Sequence, residues 1–198
     1  MIASDLHLEK GSAFARRGVL LPPYDTSATL GRLTALCDLF RPRTVLALGD
    51  SFHDGEGSER LHADDRRSLL EVMRGRTWIW LLGNHDPVPP AELGGESVET
   101  LTLNGLTFRH EPLETAEPGE ISGHLHPAAS VRRRGRRVRR RCFVCDGARL
   151  VMPAFGAYAG GLDVSDAAFA ALFADGFTAW LLGRERVYPV SERRSRRQ

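Results

Sequence analysis

Thr44-Val45-Leu46-Ala47-Leu48-Gly49-Asp50-Ser51-Phe52-His53-Asp54 is the stretch that decides the fold. Its apolar run is short enough for a buried strand and too short for a helix. A glycine stops the run, and a carboxylate and an imidazole follow at once. The order recurs in Trp78-Ile79-Trp80-Leu81-Leu82, which runs into Gly83-Asn84-His85-Asp86. It appears in shortened form at the N-terminus, where Met1-Ile2-Ala3-Ser4 runs into Asp5-Leu6-His7. The first strand therefore reads as clipped, as a truncated or misplaced start would leave it.

Helical patterns lie between these strands. Thr26 to Phe40 places Leu30, Leu33, Leu36, Leu39 and Phe40 at 3–4 residue spacing, with Arg41-Pro42 as a stop. Ser58 to Arg74 places Leu61, Leu69, Leu70, Val72 and Met73 similarly, and Gly75 reads as its C-terminal stop. Strands alternating with helices imply a parallel sheet with right-handed crossovers. The expected class is α/β.

The back half reads as short strands over Val98–Leu103, Leu106–His110, Glu120–Gly123, Val138–Val144 and Leu150–Pro153. Asn104-Gly105 and Asp146-Gly147 are hairpin-type turns. Asp166 caps a short helix to Phe173, and Ala179–Leu182 with Arg186–Val190 forms a closing pair. Residues 1–190 read as one domain, and 191–198 as a disordered basic tail.

The chain has 198 residues and a net charge of only +2. Residues 1–130 hold 12 basic and 19 acidic side chains, whereas 131–198 hold 15 basic and 6 acidic. An acidic front and a basic back point to a polyanionic partner. With 42% hydrophobic residues, wholesale disorder is excluded. No apolar run reaches the ~18–20 residues that a membrane helix needs. Three cysteines, an odd and sparse count, favour a reducing cytoplasm over a disulfide framework. Cys142 and Cys145 have zinc-knuckle spacing but no matching second pair. A half-buried strand is the preferred reading there.

Six of the seven histidines stand at expected strand ends: His7, His53, His85, His110, His124 and His126. His62 falls outside these places and is assigned to a solvated helix face. Open α/β sheets carry their sites at the carboxyl ends of strands. Carboxylate, amide oxygen and imidazole together suit Mn²⁺, Fe²⁺ or Zn²⁺. Two such metals share a bridging carboxylate, clamp a phosphoryl group and lower the pKa of a water.

The order DxH, GDxxH, GNHD, H, GHxH over residues 5–126 resembles the calcineurin-like metallophosphoesterase superfamily. That resemblance implies a sandwich of two mixed sheets flanked by helices. It implies one metal, most simply Mn²⁺, on Asp5, His7, Asp50 and His126, and a second on Asp50, Asn84, His110 and His124. His85 would serve as general acid or phosphate stabiliser, oriented by Asp86. His53 stands where an acidic residue is frequent; a nuclease branch of the superfamily has the same GDxFH form, in which that histidine handles a phosphodiester.

The stretches Leu8-Glu9-Lys10-Gly11-Ser12, Leu21-Pro22-Pro23-Tyr24-Asp25-Thr26 and Pro153 to Leu162 resemble the ligase-associated DNA damage response endonuclease family, PdeM. That resemblance implies a DNA-repair nuclease acting with a helicase and an ATP-dependent DNA ligase. Arg132, Arg133, Arg134, Arg136 and Arg137, with Arg139, Arg140 and Arg141, place eight arginines in ten residues. Arginine forks bind phosphate bidentately, so the hairpin is a candidate nucleic-acid contact. Tyr158 and Phe155 are candidates for stacking on bases, and Phe14, Arg16 and Arg17 for the rim of the site. The 14 residues from His110 to His124 leave no room for a lipid-binding lid. A phosphodiesterase or monoesterase of small nucleotides is the alternative enzyme. A non-catalytic, metal-stabilised docking module is the alternative from another class.

Overall fold

A computed structural model describes residues 1–88, 91–115, 117–133 and 135–192. The elements in chain order are β1 (Ile2–Ser4), α1 (Lys10–Arg16), α2 (Asp25–Phe40), β2 (Thr44–Leu48), α3 (Gly57–Arg60), α4 (Ala63–Met73) and β3 (Thr77–Leu81). After a 3-10 turn at Ala91–Leu93 come β4 (Glu96–Val98), β5 (Thr100–Leu103), β6 (Leu106–Arg109) and β7 (Glu120–Ser122). The chain continues through β8 (Pro127–Arg133), β9 (Arg136–Cys145), β10 (Arg149–Val151), β11 (Leu162–Asp163), α5 (Ala167–Leu172), β12 (Phe177–Leu182) and β13 (Val187–Glu192).

The first sheet has the order β1-β2-β3-β4, and every pairing in it is parallel. The second runs β11-β8-β9-β10-β7-β6-β5, with β12 joined to β9 and β13 to β12. It is mixed: β6–β7 and β7–β10 are parallel, whereas β8–β9 and β9–β12 are antiparallel.

Period-2 alternation assigns each strand face to a layer. Val45 and Ala47 of β2 and Trp78 and Trp80 of β3 pack with Leu30, Leu33 and Cys37 of α2 and Leu69, Val72 and Met73 of α4. The alternate residues Leu46, Leu48, Ile79 and Leu81 face Phe108 and Met152 in the layer between the sheets. On the far side Cys142, Val144, Ala179 and Leu181 meet Phe169 of α5 and Phe173. The architecture is the expected α/β sandwich of two sheets with helices outside.

Several local expectations are corrected. The helix expected over Ser58–Arg74 is two helices, α3 and α4. Leu61 leaves helical geometry and is buried in the helix-side core, and His62 caps the next helix by accepting the Asp64 N–H at its Nδ1. Asp64 and Asp65 in the first turn favour a fresh helix start there. Val98–Leu103 is two strands in different sheets. Val98 pairs with Leu81 of the first sheet, and Thr100 with Arg109 of the second. Leu39 and Phe40 are exposed, because the buried stripe of α2 runs through Leu30, Leu33 and Cys37. The last strand continues through Ser191 and Glu192, where the sequence places a tail; residues 193–198 lie outside the described residues. The α1 helix and β11 are not expected from the sequence.

Candidate metal centre

The pairing of β1 with β2 continues past both strands. Asp5 N donates to Gly49 O at 3.2 Å, His7 N to Asp50 O at 2.9 Å and Leu8 N to Ser51 O at 2.9 Å. Asp5, His7, Asp50 and His53 are thus delivered by two loops zipped side by side. Gly83-Asn84-His85 follows β3. From the second sheet, His110 follows β6, His124 follows β7 and His126 precedes β8. The centre is a seam between the carboxyl ends of the two sheets.

The backbone there is strained. Asp5, His7, Asp50, His124 and His126 all have φ between 43° and 65°. Such conformations cost non-glycine residues of order 1–3 kcal/mol each and concentrate at functional sites. Gly49 has φ 72°, and a Cβ on it would collide with the His110 ring. A Cβ on Gly83 would collide with the Asp50 backbone and carboxylate. These two positions admit no side chain.

Two groups of donor atoms share Asp50. In the first, His126 Nε2 lies 3.1 Å from Asp5 Oδ1 and 3.2 Å from His7 Nε2, and His7 Nε2 lies 3.7 Å from Asp50 Oδ2. Asp5, His7, Asp50 and His126 offer ligand atoms all within 4.8 Å of one another. In the second, Asn84 Oδ1 lies 3.0 Å from His110 Nε2 and 2.9 Å from His124 Nδ1. His110 Nε2 is also 3.3 Å from Asp50 Oδ1. All seven residues expected as ligands converge on this seam.

Neighbouring groups orient the rings. His110 Nδ1 faces Leu48 O at 3.2 Å, so it carries the proton and leaves Nε2 turned toward Asp50 and Asn84. His7 Nδ1 lies 3.2 Å from His53 Nδ1, leaving its Nε2 toward Asp50 and His126. Asp5 is buried, accepts the His124 N–H at 3.2 Å and is held by the adjacent Ser4 hydroxyl.

The electrostatics favour cations. Burial lowers His7 to about 3, against the pull of Asp50 and Asp5, so its imidazole is neutral. Burial lowers His53 to about 4, helped by the charges of Lys10 and His85. With both rings neutral, the Nδ1–Nδ1 contact takes one shared proton, and a metal on His7 Nε2 would leave that proton on His7 Nδ1 for His53 to accept. Burial opposes protonation of His110 too. There the hydrogen bond to Asp50 and the charges of Asp5 and Asp50 win, and the group rises to about 9. Burial would raise Asp50, but His110 and the His85 N–H hold it down at about 2. Two buried carboxylates, an amide oxygen and four histidines suit divalent metals of the Mn²⁺, Fe²⁺ or Zn²⁺ kind. A second trio, His7, His53 and His85, gathers beside them but includes no carboxylate.

The expectation for Asp86 is corrected. His85 Nδ1 donates to the His53 carbonyl at 2.7 Å. Asp86 instead accepts the Phe52 N–H at 3.0 Å and so anchors the loop that follows Asp50. Residue 86 points away from its neighbour because it lies buried beneath that loop, where Asp86 Oδ1 has no hydrogen-bond partner among the described residues and burial pushes the carboxyl up to about 7. His85 Nε2 remains 4.0 Å from Asp50 Oδ2 on a half-exposed ring.

The arginine hairpin is β8 paired to β9, starting immediately after His126. Arg132, Arg136 and Arg137 are exposed, Arg133 lies on β8, and Arg134 lies outside the described residues. Arg141 has a different role. Its guanidinium donates to the carbonyls of Ala154, Phe155, Gly156 and Ala159 at 2.7–3.2 Å. That loop donates Phe155 N to Ser4 O and Gly156 N to Asp5 O, bracing Asp5, the first candidate ligand, from behind. The arginine run hides this clamp in sequence, because Arg141 shares its strand phase with the exposed Arg137 and Arg139. Phe155 packs on the helix-side core under Arg32, and Tyr158 is half-buried. Phe14 lies 5.6 Å from His53 between ring centroids, and Arg16 pairs with Glu56. Cys142 is buried, Cys145 half-buried, and among the described residues neither joins a metal-holding group. No helix of the described residues is long and apolar enough to cross a membrane.

No protein-family model matches the chain, and no curated protein does. Among solved structures, nuclease MPE of Pseudomonas putida is 26% identical, with a TM-score of 0.71 over 96% of this chain and 86% of that one. A protein of unknown function from Aquifex aeolicus is 17% identical over 68% of this chain and 80% of its own, with a TM-score of 0.39. The first likeness supports a metallophosphoesterase-like sandwich that carries nuclease activity in the Pseudomonas protein.

Proposed function

We propose that the protein is a two-metal phosphodiesterase that cleaves nucleic acid. The observation that carries this reading is the pair of donor groups sharing Asp50 at the seam of the sheets. In this reading Asp5, His7, Asp50 and His126 would hold one metal, and Asp50, Asn84, His110 and His124 the other. Mn²⁺ is the favoured ion. Such a pair supplies Lewis-acid polarisation of a phosphoryl group and acidifies a water. The chain's own residues do the rest. His85 presents Nε2 to the phosphate and donates a proton to the departing oxygen, while the His53 carbonyl holds its other nitrogen. Both sheets contribute donors, so residues 1–190 act as one unit. The likeness to nuclease MPE favours a polynucleotide over a small nucleotide, and Arg132, Arg133, Arg134, Arg136 and Arg137 would steer it. The family resemblance adds DNA repair beside a helicase and an ATP-dependent ligase.

The test is Mn²⁺ added back to metal-stripped protein, with bis-p-nitrophenyl phosphate and plasmid DNA as substrates. Both should be hydrolysed, and Asp50→Ala should abolish both while the chain stays folded by circular dichroism. Full activity in Asp50→Ala would overturn the reading.

A further inference from the structure

Lys10 is the only lysine in the chain; the other 26 basic residues are arginine. It opens α1, three residues after His7, on the rim of the centre. Its side chain is partly buried, and desolvation lowers its pKa. Its ammonium makes no hydrogen bond or ion pair among the described residues. Asp25 is near enough to act by charge, but one of its oxygens already accepts the Gly11 N–H at 2.9 Å. The partly buried ammonium keeps its three donors free of protein partners among the described residues and so open to an anion.

Its position says which anion. The Lys10 Nζ lies 5.7 Å from the centroid of the Phe14 ring, the Phe14 ring lies 5.6 Å from His53, and the His53 ring stacks on His85 at 5.1 Å. Lys10 thus ends a column of rings that begins at the phosphate-facing histidine. Its charge reaches that column, being the leading charge that presses His53 down. Arg17 adds positive charge to the same rim. The cation is separated from His85 by two rings, Phe14 and His53, along this column.

We propose that Lys10 binds the phosphate adjacent to the scissile one, making the centre selective for polynucleotides over isolated phosphodiesters. This rests on the phosphodiesterase reading and deepens it. Phe14 holds the lysine in place by a cation–ring contact, and the ammonium takes the neighbouring phosphate by a charge-assisted hydrogen bond.

The experiment compares wild type, Lys10→Met and Lys10→Arg. With Mn²⁺, kcat/KM is measured on oligothymidylate, which has neighbouring phosphates, and on bis-p-nitrophenyl phosphate, which has none. The oligothymidylate-to-bis-p-nitrophenyl ratio should fall about tenfold in Lys10→Met, mainly through KM, and return in Lys10→Arg. In EDTA, anisotropy of labelled oligothymidylate should show weaker binding by Lys10→Met. The slope of log K against log salt should drop by about 0.7, the share of one single-strand phosphate. An unchanged ratio and slope, with wild-type hydrolysis intact, overturns the role of Lys10 and leaves the phosphodiesterase reading standing. If wild type hydrolyses neither substrate, the phosphodiesterase reading fails, and the EDTA binding arm alone decides Lys10.

Discussion

Asp86 Oδ2 accepts the Phe52 N–H at 3.0 Å, so the carboxylate that follows His85 in sequence braces the loop after Asp50 and not its neighbouring ring. This relationship separates an anchor from a proton carrier. Asp86→Asn keeps an acceptor for Phe52 and should retain hydrolysis of bis-p-nitrophenyl phosphate within a few-fold. Asp86→Ala should lower both the melting temperature and activity. The pH dependence has a definite sign. Burial raises the Asp86 carboxyl to about 7, so its stabilising contribution is full below about 4, its ordinary range, and fades as pH rises through 7. Urea melts at pH 4.5 and 8 should show that loss in the wild type and a flatter profile in Asp86→Asn.

His53 Nδ1 lies 3.2 Å from Nδ1 of His7, and His7 is a candidate ligand. Removing such a supporting partner typically weakens metal binding 10–100-fold. His53→Ala should therefore raise the Kd for Mn²⁺ by roughly that factor in a competition assay with a metal indicator. His53→Asn, which keeps a polar acceptor, should lose less. Unaltered affinity in His53→Ala would restrict the residue to substrate handling.

His110 must shed its proton to serve as a ligand. In the metal-free protein that proton is held up to about 9 by the hydrogen bond to Asp50 and the charges of Asp5 and Asp50, which outweigh burial. Its contribution to folding is full below about 6.5 and lost as pH rises through 9. Mn²⁺ uptake at pH 7.5 should accordingly release about one proton. Titration calorimetry in two buffers of different ionisation enthalpy measures this directly. Affinity should climb with pH and level off above 9.

The Arg149–Glu120 pair is buried, with Arg149 Nε 3.2 Å from Glu120 Oε2. Glu120 also accepts the Leu113 N–H at 2.9 Å, and Arg149 donates to Leu113 O at 2.9 Å. The pair ties β7 and β10 to the loop between His110 and His124. Arg149→Ala leaves buried Glu120 facing only Arg109, whose Nε lies 3.3 Å from Oε1, so it should cost less than the ~3–5 kcal/mol of a fully stranded charge and still lower the melting temperature by several degrees. A shift under a degree would show that water reaches the site.

Arg132, Arg136 and Arg137 are exposed on the hairpin that starts at the centre. Replacing all three with alanine should weaken duplex DNA binding. The slope of log K against log salt should fall by about 0.9 for each phosphate that is no longer neutralised. The melting temperature should stay within a few degrees.

The parallel front sheet, the order of the Asp/His motifs and the seven candidate ligands that the fold brings together were all legible in the amino-acid order. Each of these rests on local rules: short apolar runs ending in glycine, and side-chain types that suit a metal. The pattern could not tell that Val98 and Thr100 belong to different sheets, because alternating residues pair equally well in either. Nor could it break the helix at Leu61-His62, where a core site and a cap interrupt an intact helical period. Adjacency misassigned Asp86, since 85 and 86 face different loops. Only the folded chain shows that Arg141 clamps the loop behind Asp5 and that Lys10, at the end of the ring column, has no hydrogen bond or ion pair among the described residues. Both depend on residues distant in sequence meeting in space, and burial, not residue type, sets what those charges do.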